Sequence, residues 1–267
     1  MGSCQHVIES EIRANPRTAN FKLNAVQVAT ILSVPLSALR PGGYLSSRVL
    51  SGEVHQRLVG LPSLVKHWPE HPEERKCSER DENVCVLTGT SKPWVDHIVP
   101  FAWNDTLANI QKTEKVFQHI QAFFGKDWLL RYRPYLLNPQ QLGGSDKFGF
   151  KCLGIRSTTQ GESVVILQFH WMPRRNMDPT KGMSLQGQNN DSDKMVECAR
   201  SFHSDGGSNL IHELPELSIP SGHLIHVPMP NSEAVHFKAM IDLQWAMLVM
   251  VAFCGAADAP QLLPDHE

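Results

Sequence analysis

Apolar and polar positions alternate along this chain in several distinct rhythms. Between residues 20 and 60, short apolar pieces around Val26-Gln27-Val28-Ala29-Thr30-Ile31-Leu32 run into Pro41-Gly42-Gly43. That pattern predicts a short helix or strand leading into a turn. Residues 61–82 are rich in Pro, Glu, Lys and Arg and read as a connector. Val84 to Thr88 predicts a short strand, with Gly89 to Pro93 as a turn. Val95 to Val99 predicts a second strand ended by Pro100, so the two runs together predict a β-hairpin.

Helical spacing follows. Leu107, Ile110, Val116, Phe117, Ile120, Phe123 and Phe124 recur at three- and four-residue steps over 105–137. Gly125 closes that run, and Trp128, Leu129, Tyr132 and Tyr135 mark a second short helix. The aromatic residues here read as core rather than as a binding platform. Residues 163–171 form the clearest strand. Residues 176–222 are polar and aperiodic and predict a long loop or disordered insertion. Residues 232–254 predict a buried helix, capped by Asn231 or Ser232 after Pro230 and ended by Gly255. No internal repeat is visible.

Composition narrows the class without naming a function. The 267 residues are 41% hydrophobic and 19% charged, with a net charge of −2, which fits a globular protein and excludes a disordered or collagen-like chain. The six Cys form no dense regular framework, so a disulfide-stapled secreted scaffold is not expected. The opening Met1-Gly2-Ser3-Cys4-Gln5-His6 turns polar at once and lacks a secretory apolar stretch. Gly2 and Cys4 suggest acylation, but the myristoylation pattern asks for Ser or Thr where His6 stands. The apolar run Ile241–Cys254 is broken by Asp242 and Gln244 and is shorter than the ~20 residues of a bilayer span. The expectation is an intracellular protein, cytoplasmic or nuclear, with reduced thiols and no membrane partner.

Charge is uneven. Residues 83–175 carry 11 Lys/Arg against 6 Asp/Glu, whereas 176–267 carry 4 against 12. A basic middle suits a phosphate-rich partner, and uneven solvated surface gives the same count. Arg131, Arg133, Lys147 and Lys151 are the candidate phosphate contacts, with Arg174 and Arg175 beyond them.

The stretch that carries chemistry is Cys85-Val86-Leu87-Thr88-Gly89-Thr90 followed by Asp96-His97-Ile98-Val99-Pro100-Phe101. A carboxylate holds a hard divalent cation, and a neutral imidazole takes a proton from water. Together they are the smallest set for metal-assisted phosphodiester hydrolysis. Other candidates are weaker. His223 and His226 have ligand spacing without companions, and Cys77 and Cys85 are too far apart for a zinc knuckle. Cys85 reads as a core thiol, and His119, among phenylalanines, reads as structural.

The order of these elements resembles the fungal branch of the HNH endonuclease superfamily, over roughly residues 80–175 and 235–258. The resemblance implies an α+β fold with an HNH-like ββα-metal core. It implies His97 as general base, Asp96 as a ligand to Mg²⁺ or a similar ion, and DNA as partner. The expected division is a 1–80 N-terminal extension, an 81–175 nuclease-like domain, the 176–222 insertion and a 223–267 segment whose helix packs on the core.

The chain departs from the family pattern. Gln141-Leu142 stands where the family has Asn-Leu, and Asn138 is followed by Pro139 as in a turn. No His lies between His119 and His170, so the helix bearing the last metal ligand is missing or shortened. A site loosened by ~1 Å loses about a hundredfold in rate. Two histories explain this: drift into a pseudo-nuclease, or a gene model that omits a short segment after Leu142. The expectation is therefore a nuclease-like protein with impaired or absent hydrolysis. The alternatives are a tailoring or cyclising enzyme of fungal specialised metabolism, acting on a small molecule with His97 as acid–base group, and a non-catalytic binding protein.

Overall fold

The computed structural model describes residues 2–40, 42–46, 55, 57–61, 97–99, 107–136, 142–143, 148–158, 161–173, 177–185, 191–205 and 219–255. The architecture is mixed helix and sheet, an α+β arrangement. Helix α1 spans Gly2–Arg13, a 3₁₀ turn spans Pro16–Thr18, α2 spans Ala25–Ser33 and α3 spans Leu36–Leu39. Strand β1 is His97–Val99, α4 is Leu107–Leu136 and β2 is Leu142–Gly143. Then come β3 (Phe148–Ser157), β4 (Glu162–Trp171), α5 (Asp191–Asp205), β5 (Leu224–Pro230) and α6 (Asn231–Cys254).

Strands β3, β4 and β5 form one antiparallel sheet in that order, with Phe150 opposite Phe169 and Val165 opposite Val227. A register shift between Cys152 and Gly154 inserts one extra residue into β3, which bends an edge strand. Along β4, Val165, Leu167 and Phe169 are buried between half-buried Val164, Ile166 and Gln168. His170 and Trp171 are buried as well, which explains why the strand reads as a continuous apolar run. The 219–223 turn is tied onto the end of β4: the Trp171 indole donates to the Ile219 carbonyl and the Phe169 amide donates to the His223 carbonyl.

Helix α6 packs along β3 and against α2, and it is apolar nearly all round, the signature of a buried helix. It has the length and hydropathy of a membrane span, yet 67% of its apolar window is buried inside the protein. Gly255 ends it at φ 77°, the left-handed conformation that glycine adopts without penalty. Its start differs from expectation. Pro230 occupies the N-cap with no side-chain bond, and the Asn231 side chain accepts the Ser163 hydroxyl instead. Asn231 thereby fastens the helix to β4.

Helix α2 is held by a reciprocal cap. The Gln27 amide donates to Asn24 Oδ1 at 3.0 Å, and the Asn24 amide donates to Gln27 Oε1 at 2.9 Å. The same Gln27 side chain donates to the Leu58 carbonyl at 3.1 Å, joining α2 to the 57–61 segment. Helix α4 bends at Gly125, where φ is 78° and ψ is 175°, so two helical arms meet as the sequence predicts. The Tyr44 ring lies 3.0 Å from where a Cβ on Gly125 would sit, and its hydroxyl donates to the Phe123 carbonyl.

One further expectation changes. The 176–222 region contains the 15-residue helix α5, whose Met195, Val196, Ala199 and Phe202 are buried. Four apolar residues at helical spacing suffice to dock it, although polar residues dominate its composition. The strand expected over 95–99 is described over His97–Val99, and its partner among the described residues is β2. The other expected hairpin strand, 84–88, lies outside the described residues. The polar N-terminus forms α1, which buries Ile8 and Ile12 one turn apart.

Candidate functional site

The two-stranded pair β1–β2 is where the structure places His97. Residue 97 is opposite Gly143, and Val99 is opposite Leu142, in antiparallel register with an irregularity between them. The pair closes across the whole of α4, and α6 packs against β1. This pairing brings His97 next in space to the chain just after Gln141. Asp96, Gln141 and Lys147 lie outside the described residues.

The expected phosphate contacts divide between two elements. Arg131 and Arg133 are exposed on the second arm of α4, beside exposed Lys126 and Leu130. Lys151 is exposed on β3, opposite Gln168. They therefore do not make one helical stripe. His223 and His226 are exposed, His226 on β5 opposite Ile166.

A divalent ion needs several convergent donors. Strand β2, opposite His97, contributes Leu142 and Gly143, neither of which brings a ligating side chain. Among the described residues, no three His, Cys, Asp or Glu side chains converge as a metal cluster.

His119 is structural, as its neighbours suggest. Its ring sits against Gly60, where an added Cβ would fall 1.7 Å from Cε1 and Nε2. Burial holds its imidazole below the ordinary 6.5, and a hydrogen bond to the Arg57 backbone pulls partly the other way. Burial likewise pushes the Tyr44 phenol up to about 12 and raises the Cys152 thiol. The Cys152 thiol is thus a poor nucleophile.

A buried polar cluster escapes sequence reasoning. His170 is only 3% exposed; its Nε2 lies 3.0 Å from Gln168 Oε1. Its ring centroid lies 5.1 Å from that of Trp245 and 5.9 Å from that of Phe202. Gln168 and His170 are two apart on one strand, so they share a face, which is the signal available in the sequence. Nothing in the sequence announces that α5 and α6 bring Phe202 and Trp245 to them. The chain matches no protein-family model, no curated protein and no solved structure.

Proposed function

We propose that the protein is an HNH-like, nuclease-derived protein that engages nucleic acid and does not sustain phosphodiester hydrolysis. The observation that carries the reading is the β1–β2 pair. A ββα core needs the strand bearing the base to pair with the strand that follows the Asn-Leu position, and His97 lies opposite Gly143, directly after Gln141-Leu142. The chain runs from β2 to β3 with no His in between, which supports loss of the metal-binding helix.

In this reading His97 keeps the capacity to accept a proton from water. Proton removal alone leaves the charge developing on the phosphoryl oxygens unneutralised, and that stabilisation is the larger share of the barrier reduction. Binding is carried by exposed cations: Arg131 and Arg133 on α4, and Lys151 on β3. Such side chains fix position on a phosphate backbone and carry no base information.

The test is fluorescence anisotropy with a labelled duplex and the full chain across a salt series. Binding at low salt is expected, weakened in Arg131→Glu and Arg133→Glu. The logarithmic salt slope should fall by about 1 for each phosphate that is no longer neutralised. Absence of binding at low salt, or charge-reversed variants that bind as the parent does, overturns the nucleic-acid part of the reading.

A further inference from the structure

A half-open cavity of about 190 Å³ lies where the end of α2, the bend of α4 and the middle of α6 meet. Ser33 and Val34 line it from α2, Phe123 and Phe124 from α4, and Asp242 and Trp245 from α6. Among the described lining residues, Asp242 is the one charged side chain. Lys238 Nζ donates to its Oδ2, while Oδ1 accepts no hydrogen bond from the described residues. One carboxylate oxygen of this lining residue is therefore left without a donor among the described residues.

The walls suit a positive charge. Three aromatic rings line the cavity, and an aromatic face attracts a cation through its quadrupole. Their positions are fixed from behind. Phe124 stacks on Trp128 at 4.4 Å, and Trp245 is held by Phe202 at 5.8 Å and His170 at 5.1 Å. Helix α2 ends at Ser33, so the negative end of its dipole adds to the carboxylate. The Ser33 hydroxyl is already committed to the Ala29 carbonyl at 2.7 Å. The cavity is smaller than the ~300–1,000 Å³ of sites that bury a drug-sized ligand.

From this geometry we infer that the α2–α4–α6 cavity binds a small organic ammonium, with its charged nitrogen on Asp242 Oδ1 and its apolar body among Phe123, Phe124 and Trp245. The site is independent of His97 and of any nucleic-acid binding.

The experiment is an NMR titration of the full chain with phenethylamine, and in parallel with 2-phenylethanol, its neutral counterpart of equal size. Phenethylamine is expected to bind with a millimolar-range constant, about tenfold or more tighter than the alcohol, because a charge-assisted hydrogen bond to a carboxylate outweighs a neutral one. Asp242→Asn removes the preference and leaves the two probes equal. Lys238→Met frees Oδ2 and tightens phenethylamine binding. Equal binding of the two probes to the native chain overturns the inference, as does a preference that survives Asp242→Asn or shifts that map away from Trp245 and Phe123. If Asp242→Asn does not fold, Lys238→Met decides: unchanged or weaker phenethylamine binding overturns it.

Discussion

Gly60 and His119 give the sharpest test of how the N-terminal part joins α4. A methyl group at position 60 would lie 1.7 Å from two atoms of the His119 ring and 2.3 Å from Nδ1. Real Cβ atoms do not come so close to a neighbour, so the ring or the 57–61 segment must move. Gly60 does not sit in a positive-φ conformation, so the backbone itself accepts alanine there. The strain is therefore purely steric. His119 is 7% exposed within α4, and neighbouring Leu58 and Leu61 are fully buried, which leaves little room to retreat. Overpacking of this kind costs about 1–3 kcal/mol, and this overlap belongs at the upper end. Urea unfolding followed by circular dichroism measures it, with Gly60→Ala, His119→Ala and the double variant forming a cycle. Removing the ring first should make Gly60→Ala nearly free, giving a coupling energy of about 2 kcal/mol. Additive single and double variants would show that ring and glycine do not touch, and the reasoning would fail.

The remaining predictions concern single features of the fold. Burial lowers the His119 imidazole below the ordinary 6.5, so the unfolded chain binds more protons than the folded one as the pH falls through that range. Its contribution is complete above that pH and is lost as pH falls from there through the depressed folded value. Unfolding free energy should therefore decline on acidification below pH 6.5, and His119→Gln should flatten the slope. Gly125→Ala places a side chain at φ 78° against the Tyr44 ring and should cost about 1–3 kcal/mol in the same denaturation assay. Asn24→Ala removes one half of the α2 capping box and should cost about 1 kcal/mol. Phe253→Ala, at a fully buried position beside Phe202, should cost about 3–5 kcal/mol, and a cost under about 1 kcal/mol would contradict the core described for α6.

Elements with strong periodicity and clear terminators were legible in the sequence. Helix α6 has a dense apolar run and a terminal glycine; α4 has three- and four-residue spacing and a glycine at its bend; β4 is one apolar strand. Others were hidden for identifiable reasons. Helix α5 buries four apolar side chains among its described residues within a polar composition, and α1 buries Ile8 and Ile12. Strand β5 contains Pro228 and Pro230, which argue against a strand, but it lies at the edge of its sheet, where a missing N–H is tolerated. Strand β3 is interrupted by Gly149 and Gly154 and shifts register between them. At Gly149 an added Cβ would meet Met172 and Leu248, so close packing against α6 explains that glycine.

The candidate site was legible only in part. The sequence places His97 on a strand, and that strand exists. Its pairing with β2 joins residues on either side of a 30-residue helix, a non-local pairing that no local pattern encodes. The cavity at Asp242 was invisible for the same reason, since its walls come from three helices far apart in the chain.

The most direct measurement of the central claim is a plasmid-cleavage assay with Mg²⁺ or Mn²⁺, using folded full-length protein beside His97→Ala and an EDTA control. The account predicts no metal-dependent nicking, with parent and His97→Ala indistinguishable. Nicking that requires the metal and disappears in His97→Ala would contradict it and establish a working nuclease centre around His97.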